Sequence, residues 1–288
     1  MKFTAVLFFV CLLALGTKAQ NDSLAVQKKY DTVHIGKKYI VVKHLGNNEN
    51  AAVQEKNKKK DNINTEHLVL DLGFSNWADR TNYSDAASQG YIINRPGTPD
   101  IASKDFNLRV IKSVNIDIWF FMQRLNLINH YVNLKYGLGL ELNNYRFWTP
   151  LSFREGGTNP YNPSMNISHP FIFRDSISLE KDKLAADYLT IPLMLNFRTD
   201  PHQNKGLMIS TGVSVGYLYS SRNKQISDED SKHRNKGNYD LERWKFSYIA
   251  ELGMGPLVLY GSYSPNSIFN NNVLDLKPYT IGIRFSSL

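Results

Sequence analysis

Seven charged residues stand where charge is costly. Asp71, Asp117, Lys135, Glu141, Lys245, Glu251 and Arg284 each interrupt a run whose alternate positions are apolar. Four carboxylates and three cations gathered in one interior could relay protons or ions, or could neutralise one another as a salt-bridge network. No transport motif accompanies them, and an unpaired buried charge is expensive. The pattern therefore predicts a structural network of ion pairs.

Acyl transfer would need a nucleophile and a base. His169, Ser168, Ser176, His233 and Asp230 are available between the apolar segments, but no G-x-S-x-G or comparable signature surrounds them. Asp228-Glu229-Asp230 offers carboxylates without the glycine and ligand spacing of a calcium loop. H-E-x-x-H, P-loop and dinucleotide fingerprints do not occur. The expectation is no catalytic residue, no cofactor and no metal.

Eight segments of period-two alternation must carry the charges. The first, 67–74, puts Leu68, Leu70, Leu72 and Phe74 on one face and Asp71 and Gly73 on the other. The second, about 109–124, groups Val114, Ile116, Ile118, Phe120 and Met122 against Asn115, Asp117 and Gln123. The third, about 131–148, alternates longest: Val132, Leu134, Tyr136, Leu138, Leu140 and Leu142 oppose Asn133, Lys135, Gly137, Gly139, Glu141 and Asn143. The others span about 188–197, 207–219, 244–252, 257–264 and 279–285. Sustained alternation is a strand signal. Pro192 within the fourth is expected at a bulge, since it cannot donate to a ladder.

The gaps alternate too. Long ones fall at about 77–106, 149–186, 223–242 and 265–276, and short ones near Leu125 to His130 (six residues), Asp200 to Asn204 and Met254 to Pro256. Long and short gaps thus lie at opposite ends of the strands. Hydrocarbon cannot satisfy backbone polar groups, so a chain that crosses a bilayer in strands must close them into a barrel. Bacterial barrels combine an even strand number, outward apolar positions, short periplasmic turns and long outer loops. The expected fold is all-β: an eight-stranded antiparallel up-and-down transmembrane barrel, both termini periplasmic. Leu138, Leu140, Ile281 and Ile283 should face lipid. Tyr131, Tyr145, Phe147, Trp148, Tyr217, Tyr219, Trp244, Tyr263 and Tyr279, near strand ends, suit aromatic girdles. The competing architecture is a soluble sandwich or lipocalin-type barrel with its apolar face inward.

The chain begins with an export signal. Lys2, the apolar run from Ala5 to Leu15 and Thr17-Lys18-Ala19 fit a signal peptide over 1–19. Cys11, the only cysteine, lies inside that run, so the mature chain has no thiol for a disulfide or a metal. Residues 20–66 form a periplasmic extension, with a small hairpin from Val33–Ile35 and Tyr39–Val42 around Gly36-Lys37 and a flexible lysine-rich linker over 46–64. The barrel takes 67–288. Part of the formal charge of +8 comes from lysines of the extension. In an exported protein they are a solvated segment and no nucleic-acid site.

In the loop 149–186 and just before it, Phe147-Trp148 to Phe153 and His169-Pro-Phe-Ile-Phe173 are apolar clusters in a segment expected outside. Trp148, Phe153, Phe171 and Phe173 are the candidate contacts for a protein partner. The alternative is that the loop packs on itself over the barrel mouth.

The strand Tyr188-Leu-Thr-Ile-Pro-Leu-Met-Leu-Asn-Phe197, the following Gly212-Val-Ser-Val-Gly216-Tyr217 and the closing Tyr279 to Phe285 resemble the outer-membrane β-barrel, PorT-like proteins of Bacteroidetes over about 67–288. The resemblance implies an eight-stranded barrel; the family is defined by architecture and implies no single activity. The sequence thus points to a non-catalytic outer-membrane protein, structural or partner-binding, an accessory place in an envelope or secretion complex being one form this would take. Its surroundings would be outer-membrane lipid, the barrel-insertion machinery and a protein partner. The runner-up is a lipid-modifying enzyme of the outer membrane, an acyltransferase or deacylase.

Overall fold

The computed structural model describes residues 31–35, 38–42, 54–56, 61–176, 179–200, 206–227, 233–255 and 257–285. The signal peptide, most of the linker and Asp228 to Asp230 lie outside the described residues. Two units divide the chain after Lys60. In the first, β1 (Asp31–Ile35) and β2 (Lys38–Val42) pair antiparallel, and β3 (Gln54–Lys56) adds to β2 opposite Tyr39, Ile40 and Val41. β3 places a short strand within 46–64, the segment read as a flexible linker. Gln54-Glu55-Lys56 carries no apolar signal, and its strand is held by backbone pairing.

Along the second unit come β4 (Ile63–Asp79), helix α1 (Tyr83–Ser88), β5 (Ile92–Ile93), β6 (Val114–Ile128), β7 (Val132–Arg146), β8 (Leu151–Arg154), β9 (Gly157–Asn159), β10 (Asn162–Ile167) and β11 (Phe171–Arg174). They are followed by β12 (Leu179–Arg198), β13 (Leu207–Ser227), β14 (His233–Lys236), β15 (Trp244–Met254), β16 (Leu257–Tyr263) and β17 (Leu276–Phe285). Of these β4, β6, β7, β12, β13, β15, β16 and β17 close into an eight-stranded antiparallel ring, each paired with its neighbours in chain order and β17 with β4.

The pleat sends alternate side chains to opposite faces, and here the apolar face is the outer one. Phe74, Ile191, Leu193, Val213, Phe246, Leu259 and Ile281 are exposed, while Asn133, Lys135, Glu141 and Asn143 on the inner face of β7 are buried. A soluble barrel would have the reverse arrangement. Inner-face glycines leave room for the large groups that fill the lumen: a Cβ on Gly139 would come within 2.6 Å of the Trp119 ring.

Five details depart from the sequence reading. Met122 faces inward and is buried, because the register of β6 against β7 shifts between Trp119 and Phe121, so that Phe120 and Met122 no longer share a face. Residues 110–112 ahead of β6 form a 3₁₀ turn, and β4 begins at Ile63, inside the segment assigned to the linker. Pro192 makes no bulge: pairing to β7 skips Ile191 and Pro192 and resumes at Leu193↔Tyr136 in the register of Thr190↔Gly139. The missing N–H simply leaves a gap in the ladder, and the register shifts between β12 and β13 lie elsewhere, at Leu179/Lys181 and Asp187/Tyr188. Finally, the expected six-residue turn shrinks to three residues, Asn129-His130-Tyr131, led by Asn129-His130. Both residues have positive φ, 45° and 61°, and the Tyr131 N–H donates to Ile128 O at 2.9 Å. That is the twist-matched geometry of a tight hairpin.

Candidate functional site: the lumen network and the loop cap

The seven charged residues all point into the lumen and are buried. Arg284 lies opposite Asp71 across the β17–β4 ladder and grips it through both carboxylate oxygens, Nε to Oδ1 at 2.7 Å and Nη2 to Oδ2 at 2.6 Å. Its remaining fork nitrogen, Nη1, bonds Glu251. Trp119 Nε1 donates to Asp71 Oδ2 at 2.7 Å. Two further pairs span the lumen between β7 and β15, which are not neighbours in the ring: Lys135 Nζ to Glu251 Oε2 at 2.7 Å, and Lys245 to Glu141. These cross-braces tie opposite walls.

Neutral groups complete the bonding. Ser210 Oγ donates to Glu251 at 3.0 Å, Asn143 Nδ2 to Glu141 at 3.0 Å, and Asn115 Nδ2 to Asp117 at 2.8 Å. Asp117 stands in register between Asp71 and Glu141, so three carboxylates adjoin across β4, β6 and β7. Val69, Trp119, Met122 and Met194 add an apolar cluster within the same lumen. An eight-stranded barrel has just enough interior for side chains to fill, and these fill it.

At the long-loop end the strands and loops build a second core. Trp77 of β4, Phe106, Tyr145 and Phe147 beside the top of β7, Phe153 of β8, Tyr239 and Leu241 after β14, and Phe269 and Leu274 between β16 and β17 are buried together. All four long loops contribute. Trp77 meets Tyr145 at 4.8 Å and Phe147 at 5.7 Å between ring centroids; Phe153 lies parallel to Phe269 at 6.5 Å. A small sheet, β5–β11–β8, holds the second loop against the first. β12 and β13 pair over nearly their whole length, from Leu179↔Ser227 to Arg198↔Met208, and carry the wall into this cap. A cavity of about 330 Å³ remains beside it, bordered by Trp77, Asp79, Ser103, Phe106 and Trp148.

The cap redistributes the residues read as a partner surface. Phe153, Phe171 and Phe173 are buried within it, so burial removes them from partner contact; Trp148 alone of the four is exposed, at 62%. Tyr145 and Phe147 likewise belong to the cap core, not to a girdle. One signal in the sequence could have shown this: aromatic and aliphatic clusters recur in each long gap, as mutual packing requires.

Among the described residues, those considered for acyl transfer do not converge. His169 lies against Tyr91 at 4.9 Å with Nδ1 3.1 Å from Pro170 O, Ser168 and Ser176 are exposed, and His233 stands opposite Gln225 in β14. Asp230 is outside the described residues.

Asp182, on the inner side of β12 within the cap, takes the Leu151 N–H on Oδ2 at 2.7 Å and Asn223 Nδ2 on Oδ1 at 3.0 Å. Burial pushes its carboxyl up to about 7 despite these donors.

Residues 81–271 match the family model described as outer membrane protein beta-barrel domain. No curated protein matches the chain. The crystal structure of Ail, the attachment invasion locus protein of Yersinia pestis, is similar over 77% of this chain and 98% of its own, at 11% identity and a TM-score of 0.28. The same protein in complex with the heparin analogue sucrose octasulfate is similar over 77% and 98%, at 13% identity and a TM-score of 0.27.

Two predictions follow from the buried charges. Lys245→Met leaves Glu141 beside Asp117 without its cation and should cost ~3–5 kcal/mol in urea unfolding from phospholipid vesicles. Adding Glu141→Gln should recover at least half of that loss, and a single-variant cost under ~1 kcal/mol would show that the brace contributes little.

Asp182 sets the sign of a pH effect. Its carboxyl keeps a proton in the fold at pH values where the unfolded chain has released it, so its contribution favours the cap at low pH and is lost as pH rises from about 4 towards about 7. Amide exchange at Leu151 should therefore be slower at pH 5 than at pH 8, after correction for the intrinsic rate. In Asp182→Asn that difference should shrink; an unchanged pH dependence would rule out Asp182 as its source.

Proposed function

The chain belongs to the outer membrane protein beta-barrel domain family and is an outer-membrane protein, and we propose that it acts there as a closed, non-catalytic barrel that presents a rigid cap to the outside. Its long-loop end faces the exterior and both termini lie in the periplasm. The role is structural or partner-binding, and an accessory subunit of an envelope or secretion complex is the form that suits an architecture whose described residues form no catalytic constellation. Kinship with the PorT-like barrels of Bacteroidetes, drawn from the Ile191-Pro192-Leu193 strand and its successors, is part of the same reading.

The observation that carries the proposal is the double closure. Three cations and four carboxylates with their amide and hydroxyl partners occupy the lumen, and all four long loops share one apolar core above it. A pore would need a continuous wet path, and an enzyme would need a nucleophile and a base in hydrogen-bonding reach in a cleft. A cap knit from four loops instead offers a preorganised surface, which lowers the ordering cost of association. Orientation is supported by the asymmetry of the connections, with tight turns such as Asn129-His130 at one end and structured loops at the other.

The function is tested by planar-bilayer recording of the purified full chain, which should show no discrete conductance; stable single-channel steps would overturn the closed-barrel reading. The orientation is tested separately. Because the only cysteine is Cys11, Asn272→Cys and Asn129→Cys each place a single thiol in the chain left after signal removal. A membrane-impermeant maleimide applied to whole cells should label the first and spare the second; the opposite pattern would reverse the topology.

A further inference from the structure

The wall has a notch where β4 rises out of the lipid band. On one side β4 stays paired with β17 as far as Asp79↔Leu276, but on the other its ladder with β6 ends at Phe74↔Val114, followed by one bond from the Ser75 N–H to Ser113 O at 2.9 Å. Higher up, the returning first loop takes the place of β6 and pairs with the end of β7. Leu108 stands opposite Phe147, and the Trp148 N–H donates to Asn107 O at 3.2 Å. Between this segment and the edge of β4 from Asn76 to Asp79 lies the cavity of about 330 Å³. Small-ligand sites begin near ~300 Å³, so the notch suits a small molecule and not a folded partner.

Its polar groups keep spare bonding capacity. Asn76 Oδ1 accepts the Trp77 N–H at 2.9 Å, which leaves the amide N–H groups of Asn76 without a partner among the described residues, and the Asn107 side chain makes no hydrogen bond among them. Asp79 Oδ2 takes the hydroxyls of Tyr83 and Ser103, each at 2.6 Å, while Oδ1 takes the Thr81 N–H alone, at 2.9 Å. Oδ1 can therefore accept another donor, and Ser103 Oγ, its proton committed to Asp79, remains an acceptor. Phe106 and Leu108 supply a buried apolar side. Trp148 stands at the rim, 62% exposed, and the Arg109 guanidinium steadies its ring from 4.4 Å.

These partners discriminate between ligands. Asp79 is the only charged side chain among the described residues that border the notch, and a carboxylate repels an anion. An ammonium group only donates, so it would leave the amide N–H groups of Asn76 unanswered. An acyl chain would leave all four polar side chains unanswered. A sugar ring meets both demands, because each hydroxyl donates and accepts and the C–H face of the ring can lie on an indole. Height adds a second point. Asn76 stands two residues beyond Phe74, an exposed outward residue of the lipid band, hence roughly 7 Å further along the strand. Head groups occupy about the first 5–8 Å beyond the hydrocarbon, so the sugar of a glycolipid and that of a soluble glycan can both reach the notch.

We propose that this notch binds an uncharged sugar ring, whose hydroxyls bond to Asn76, Asp79, Ser103 and Asn107 and whose C–H face lies on Trp148. The site is distinct from the lumen network. It depends on the notch alone and not on which side of the membrane the cap faces, so it stands or falls separately from the function and orientation above.

The test applies the fluorescently labelled full chain, in a detergent without a sugar head group, to a printed array of uncharged and anionic oligosaccharides. Wild type should bind uncharged glycans. Trp148→Ala and Asn107→Ala should each weaken that binding roughly tenfold, whereas Asn235→Ala, which removes an exposed amide on β14, should leave it unchanged. Asn107 is exposed, so Asn107→Ala should melt as wild type does, and it carries the test even if Trp148→Ala is destabilised. The source of the sugar is read in nanodiscs of phosphatidylcholine containing one part in ten of a monoglucosyl diacylglycerol, the lipid retained in detergent being identified by native mass spectrometry. Preferential retention of the glycolipid by wild type, lost in Asn107→Ala, supports the proposal and assigns the ring to a lipid. Equal retention of the two lipids, beside binding on the array, supports it and assigns the ring to a soluble glycan. The proposal is overturned by equal retention with no binding to any uncharged glycan, by binding to anionic glycans alone, or by binding that survives both substitutions.

Discussion

A bilayer core offers no hydrogen bonds to a backbone, so every N–H and C=O within it must find a partner inside the protein. The ring meets this demand when β17 pairs with β4 from Leu276↔Asp79 to Phe285↔Leu70 and leaves no open edge. Closure then fixes the rest. With eight strands the lumen is narrow, half of every strand faces it, and those positions must both fill the space and keep any polar group they carry partnered.

The interior charges are one solution to that filling problem. A wholly apolar interior would make both faces of each strand hydrophobic and remove what distinguishes inside from outside, whereas a polar inner face specifies the register, since a slip of one residue would move Asp71, Lys135 or Glu141 into lipid. Arg284 is central because its planar fork holds Asp71 with two nitrogens and Glu251 with the third. The braces Lys135–Glu251 and Lys245–Glu141 then join walls that share no ladder. Above them, the chemistry reverses. Clear of lipid, the lengthened β12 and β13 and the four long loops bury apolar side chains inward as a soluble domain does, so the chain carries two interiors of opposite polarity stacked along one ring.

That reversal explains how much could be read from the sequence. The strand around Leu138 and Glu141 was legible residue by residue, because its alternation continues unbroken and both faces meet uniform surroundings. Alternation alone puts Met122 on the outer face, because a register shift beside Phe120 has no signature in residue type. Alternation marks only part of β12, since Leu184, Ala185, Ala186, Asp187 and Tyr188 are all buried where the cap covers the wall. Phe153, Phe171 and Phe173 suggest an exposed patch because the packing of a loop is not written in its residue types: Phe153 meets Tyr239 and Phe269 of other loops, while Phe171 and Phe173 cluster with Ile167 and Tyr161 of their own loop and Ile93 of the first. The ionic lumen was visible as residue types, but which cation meets which carboxylate depends on three-dimensional closure and was not.

The central claim, that the apolar face meets lipid and the charged face is the interior, is tested most directly by paramagnetic broadening in nanodiscs doped with nitroxide-bearing lipid. Methyl signals of Leu140, Leu193 and Ile281 should be broadened, while those of Met122 and Met194, buried in the lumen, should stay sharp. Broad Met122 and Met194 signals beside sharp Leu140, Leu193 and Ile281 would mean that the faces are inverted.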